Sequence, residues 1–269
     1  MHDKVAVFVA GVQKGGTTSL FHYLSEHPDL HAPTVKEIHF FDDEETDWSA
    51  PDYGKIDACF RGRTQGRLRF EATPIYAFWP RALERIADYN PAARLILLFR
   101  DPFERAVSHW AMEHARGFET LSFSEAIRTG RDRLRGVPDT APAWRLFSYL
   151  ERGLYGEQIA RARAIFPPSR LLFLRSADLR DRPALVLDEI SRFLDIGPFP
   201  DTAPRIEHRR RPTPGMPPPT DEDLALVADF VRDDLVAFQA ASGLDLSDWP
   251  TFRRLAAPQE GRARRSRWR

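Results

Sequence analysis

The chain alternates two hydrophobic patterns. Near-continuous apolar runs at residues 5–10, 94–99 and 170–175, and a short alternating stretch at 68–73 that runs into a turn at Pro74, have the length and side-chain type of strands, and each is closed by a glycine, a proline or a helix-start residue. Elsewhere apolar positions recur at helical spacing. These stretches run from Thr17 to a stop near His27-Pro28, over 80–89 up to Asn90-Pro91, onward from Asp101-Pro102, from 144 to Pro167-Pro168, over 183–194 and over 221–241. In the last of them Leu224, Val227, Val231, Leu235 and Phe238 form one apolar stripe. Strands followed by helices predict an α/β domain with a central parallel sheet flanked by helices. Residues 35–41 read as a further extended segment, with Glu37, His39 and Phe41 on one face and Ile38 and Phe40 on the other. Residues 46–66 carry turn residues and read as a loop-rich connection with one short helix, and residues 198–220 should be irregular.

Composition narrows this picture. The 269 residues suit one large domain, 1–252, followed by a basic tail, 253–269, expected to be disordered. With 39 basic and 39 acidic side chains the net charge is zero, which speaks against a nucleic-acid coat, so partners must be argued from local sites. Cys59 is the single cysteine; it cannot form an internal disulfide, fits a reducing cytoplasm, and is expected as a small buried residue. The first apolar run is too short to cross a membrane. His22 and His27 have no Cys, Asp or His at ligand spacing, so both are expected at the surface or a helix end and no metal is expected. The acidic run 42–45 is expected to be solvated, and the basic, proline-containing segment 130–143 to be either a connector or a mobile cover for an acceptor.

Two strand ends carry the chemistry. After the first strand comes Gly11-Val12-Gln13-Lys14-Gly15-Gly16-Thr17-Thr18-Ser19. Its glycines bring backbone N–H groups close to a ligand, the following helix adds unpaired donors and the positive end of its dipole, and Lys14 adds a full charge. The spacing of Gly11 and Gly16 matches the nucleotide-triphosphate loop, but Thr17 stands where that motif has its lysine. A different phosphate-bearing ligand is therefore expected, against the alternatives of a triphosphate site or a plain turn. After the third strand, Asp101 is a helix N-cap with Pro102 at the first helical position. Arg100 then lies at the carboxyl end of a parallel strand, and Ser108 leans back toward it, so the two can hold a second phosphate. The alternative is an arginine paired with Asp101 or Glu104. Glu37 beside His39 offers a carboxylate base with a polar neighbour, or else a solvated strand edge.

With both phosphate candidates placed, the chain resembles the sulfotransferases that use 3'-phosphoadenosine 5'-phosphosulfate (PAPS), in particular the heparan sulfate N- and 3-O-sulfotransferase branch and its bacterial relatives. The likeness runs over about residues 5–249. The glycine loop resembles the family's 5'-phosphosulfate loop, and Leu98-Phe99-Arg100-Asp101-Pro102 through Ser108 its 3'-phosphate motif. The stretch 36–41 is similar to the segment with the catalytic glutamate, and Glu71-Ala72-Thr73-Pro74 and Tyr155-x-x-Gln158 match further blocks. The resemblance implies a P-loop-like nucleotide-binding fold and sulfuryl transfer from PAPS to a hydroxyl or amine of a carbohydrate or small metabolite, without a metal. It implies Glu37 as base, Lys14 at the leaving phosphate, His39 assisting, and Lys14, Gly15, Gly16, Thr17, Thr18, Ser19, Arg100 and Ser108 around the nucleotide. Arg209, Arg210 and Arg211 occupy the place of a cofactor-contacting basic segment. Ala72 stands where the 3-O-sulfotransferases have a lysine, and the lone cysteine cannot close their hairpin. A nucleotide-dependent kinase, or a noncatalytic nucleotide-binding protein using its basic tail for a partner, are the alternatives. Mg²⁺ and ATP dependence would mark the first, and nucleotide binding without turnover the second.

Overall fold

The computed structural model describes residues 4–62, 64–205 and 215–256. Five parallel strands form the centre: β1 (Val7–Gly11), β2 (Leu30–His31), β3 (Leu68–Glu71), β4 (Arg94–Phe99) and β5 (Leu171–Arg175), in the order β2-β3-β1-β4-β5. The helices are α1 (Thr17–Ser25), α2 (Gly54–Asp57), α3 (Ala82–Tyr89), α4 (Pro102–Ala115), α5 (Phe123–Ala126), α6 (Pro142–Phe147), α7 (Tyr155–Ile165), α8 (Ser176–Asp181), α9 (Pro183–Leu194), α10 (Asp221–Ser242) and α11 (Pro250–Ala256). This is the expected α/β fold, P-loop-like, with the sheet buried on both faces.

The strand alternation divides the core. Val7, Val9, Ile96 and Leu98 pack with Leu20 and Leu24 of α1 and Leu187 and Ile190 of α9. Phe8, Ala10, Leu95, Leu97 and Phe99 face Ile86 of α3, Ile159 of α7 and Val231, Leu235 and Phe238 of α10. Because β1 and β4 are paired, the loops leaving their carboxyl ends lie side by side, and the Val12 N–H donates to Leu98 O at 3.1 Å. Asp101 caps α4 through the Glu104 N–H at 3.0 Å, with Pro102 in the first turn as expected.

Several expectations fail. Residues 35–41 form no strand: Glu37 and His39 have φ of 64° and 56°, left-handed values that break extended alternation, and Phe41 is buried with Phe40 instead of sharing the Glu37 face. The span 144–165 is no single helix; α6 ends at Phe147, a 3₁₀ turn covers Glu151–Gly153, and α7 starts at Tyr155. Asp42 is fully buried rather than solvated, because His39 and Arg145 converge on it. Cys59, expected to be buried, is only partly so, whereas His27 does stand at a helix end, just past α1, and is buried there with Nε2 against Gly197 O at 2.9 Å. Within 130–143 the polar segment is anchored: a 3₁₀ helix (Thr129–Leu134) buries Leu134, and Arg133 pairs with Glu119 at 2.7 Å. Arg253 and Arg254 lie in α11, and 257–269 fall outside the described residues. Among the described residues no helix is long and apolar enough to cross a membrane.

Candidate functional site

A cavity of about 600 Å³ opens over the carboxyl ends of β1 and β4. Lys14, Gly16, Thr17, Thr18 and Ser19 line it from the first loop, Arg100 and Ser108 from the second, and Glu37 and His39 from the 35–41 loop. Both expected anion sites thus face one space. Gly15 lies beneath: its N–H donates to Val12 O at 2.9 Å, and a Cβ there would meet Leu98 O at 2.2 Å, so only glycine lets the loop sit this low. Arg209, Arg210 and Arg211 lie outside the described residues.

Burial, then Arg116 and Arg100 nearby, pulls the Lys14 ammonium below its ordinary pKa, partly offset by Glu37 and Glu113. Among the described residues its hydrogen-bond partner is the Met112 sulfur, at 3.6 Å. A thioether is a weak acceptor, so the ammonium has strong donor capacity left over. Arg100 does pair with Glu104, Nε to Oε2 at 3.0 Å, the arrangement held open as an alternative, but its guanidinium still borders the cavity.

Around Glu37 the charges interlock. Its carboxylate meets the Lys36 ammonium and, at 3.5 Å, His39 Nε2. Burial pushes the Glu37 carboxyl up, but the hydrogen bonds and charges of His39 and Lys36 outweigh it and hold it at about 2. His39 Nδ1 lies 2.9 Å from Asp42 Oδ2, and although burial opposes the charge, Asp42 and Glu37 together raise the imidazole to about 9. At neutral pH the pair is carboxylate and imidazolium. Lys14, Glu37 and His39 are three of the six non-glycine residues with positive φ among the described residues. Such backbone costs of order 1–3 kcal/mol each and collects where geometry serves chemistry. The loop is propped from below: the His39 N–H donates to Thr73 Oγ1 at 3.4 Å, the Thr73 hydroxyl to Glu71 Oε2 at 2.8 Å, and the Phe41 N–H to the Tyr76 hydroxyl oxygen at 3.5 Å. Burial raises Glu71 to about 8.

The cavity also takes residues the sequence reading missed. Met112 and Arg116 continue from Ser108 in four-residue steps along α4, a signal that helical spacing offered. Gln13 belongs to the glycine loop already singled out, whereas Arg145, Arg180, Arg205 and Trp249 come from separate elements, and no local spacing announces them.

The family model described as sulfotransferase domain matches residues 4–210. Mouse (Mus musculus) heparan sulfate glucosamine 3-O-sulfotransferase 3A1 is 32% identical over 192 residues, covering 70% of this chain and 45% of the relative. The mouse bifunctional heparan sulfate N-deacetylase/N-sulfotransferase 3 is 31% identical over 215 residues, 73% of this chain and 23% of the relative. The chain therefore spans less than half the length of these curated relatives. A solved sulfotransferase from Alicyclobacillus acidocaldarius superposes with a TM-score of 0.75 at 26% identity, covering 91% of this chain and 98% of that one. With that match over most of its length, the chain belongs to the sulfotransferase family.

Proposed function

We propose that this chain transfers a sulfuryl group from PAPS to a hydroxyl or amine of a carbohydrate or small metabolite. The observation that carries this reading is the opening of the Lys14 loop, Arg100 and the Glu37–His39 pair onto one cavity. The donor set fits a doubly phosphorylated adenosine: an under-used ammonium, glycine N–H groups and a helix start at one end, an arginine and a serine at the other. Lys14, Gly16, Thr17, Thr18 and Ser19 would hold the 5' side, with Gly15 shaping the loop, while Arg100 and Ser108 would hold the 3'-phosphate. PAPS supplies the phosphosulfate bond that makes the sulfuryl group transferable.

The chain's own residues then do the rest. Lys14 would place positive charge where the departing phosphate gains negative charge, from a side chain that the loop already points into the cavity. Glu37 accepts the proton of the acceptor group as the new bond to sulfur forms. Its low pKa, held down by His39 and Lys36, keeps it ionised at neutral pH and able to accept a proton. His39, charged and anchored on Asp42, fixes the direction of Glu37. Relatives named for heparan sulfate support a carbohydrate acceptor, whereas Ala72 argues against copying their contacts. Calorimetry with 3'-phosphoadenosine 5'-phosphate against ATP, then an acceptor screen with radiolabelled PAPS, tests the reading. Preference for ATP, or PAPS binding without turnover on any acceptor, would overturn it.

A further inference from the structure

We propose that Gln13 and Arg152 are positioning residues that tie the acceptor-side wall of the cavity to the nucleotide loop, so that a nucleotide seated on the loop orders the wall that receives the acceptor. This rests on the reading of the cavity above.

Arg152 is 2% exposed, yet its hydrogen-bond partners among the described residues are all neutral oxygens. Nε donates to Ser148 Oγ at 2.8 Å, Nη2 to Trp144 O at 3.1 Å and Arg145 O at 2.8 Å, and Nη1 to Gln13 Oε1. Burial, with Arg105 and Arg145 adding repulsion, lowers its guanidinium to about 9. A buried cation without a bonded carboxylate is costly, and a packed apolar side chain would fill the space more cheaply. What an apolar side chain lacks is the geometry. The carbonyls of Trp144 and Arg145 belong to the last turn of α6, which has no intrahelical N–H for them; the Ser148 hydroxyl donates to Trp144 O as well, and one planar guanidinium joins both carbonyls to the loop residue next to Lys14.

The tie continues to the proposed base. α6 puts Arg145 and Leu146 into the cavity wall. Arg145 holds Asp42 through Oδ2 and the backbone carbonyl, Asp42 holds His39, and His39 meets Glu37. Gln13 therefore connects the loop under the nucleotide to the wall that aims Glu37.

Amide hydrogen exchange over residues 142–150, with and without saturating 3'-phosphoadenosine 5'-phosphate, reads this link in the full chain. The nucleotide should slow exchange there several-fold in the parent and in Gln13→Glu, whose carboxylate still accepts from Arg152. In Gln13→Met, which has similar size and no oxygen, the slowing should vanish although calorimetry still shows binding. Equal slowing in Gln13→Met, its loss in Gln13→Glu, or no slowing in a nucleotide-bound parent would overturn the proposal. A parent that binds no nucleotide at all would remove the proposed function with it, and the calorimetry tells these failures apart.

Discussion

Replacing Asp42 with asparagine removes charge from the carboxylate that holds His39 and Arg145 together, with almost no change of shape. Asp42 is fully buried, and its Oδ2 faces His39 Nδ1 at 2.9 Å, nearer than Glu37 Oε2 to His39 Nε2 at 3.5 Å. Burial alone would lower the imidazole below its ordinary 6.5; Asp42 first and Glu37 second raise it to about 9. Asp42 is the larger of the two raising contributions, so in Asp42→Asn the midpoint should fall well below 9. A folded-state pKa above the unfolded one means stabilisation fully present below pH 6.5 and lost as pH climbs through about 9. His39 is 46% exposed, so solvent screening leaves on the order of 1–2 kcal/mol of the roughly 3 kcal/mol that the full rise would be worth to a buried group at ~1.4 kcal/mol per pH unit. Long-range ¹H–¹⁵N correlation spectra of the His39 ring, recorded from mildly acidic to strongly alkaline pH, give both midpoints. The alkaline limb of turnover should move down with them, since a neutral imidazole no longer steadies Glu37. A midpoint still near 9 in Asp42→Asn would show that Glu37 alone holds the imidazolium, and the chain from Arg145 to the base would lose its central link.

Lys14→Ala should lower turnover by about 10²–10³ while changing 3'-phosphoadenosine 5'-phosphate affinity much less, measured by single-turnover assay and calorimetry. Glu37→Gln should cost about 10²–10⁴ in kcat at unchanged nucleotide affinity, and parental activity in that variant would end its assignment as base. Arg100→Ala should weaken the nucleotide by roughly 10- to 100-fold in calorimetry, the worth of a charge-assisted hydrogen bond. In Gly15→Ala the new Cβ would lie 2.2 Å from Leu98 O, so the loop or β4 must shift. Urea unfolding should show about 1–3 kcal/mol lost, and an unchanged midpoint would mean that the loop has slack.

What could be foreseen depended on how far away the deciding partner lies in the sequence. The parallel sheet was legible because strand runs, N-caps and prolines are local, and the rule that ligands gather at strand carboxyl ends turned two separate motifs into one cavity. Met112 and Arg116 were equally local, one and two helical steps beyond Ser108, and counting along α4 would have found them. The 35–41 loop was not legible: left-handed φ at Glu37 and His39 goes with N–H contacts to the hydroxyls of Thr73 and Tyr76, more than 30 positions on. Asp42 sits in an acidic run, and such a run is solvated unless a cation elsewhere claims one member; here Arg145 does so across 103 positions. The break between α6 and α7 has the same origin. A continuous helix would carry Arg152 along its own axis, whereas the turn at Glu151–Gly153 folds it back onto the α6 carbonyls and Gln13, 139 positions away. Polar residues that look misplaced on local grounds are thus the ones that join distant segments at this site, and their long-range hydrogen bonds lead to Glu37, the proposed base.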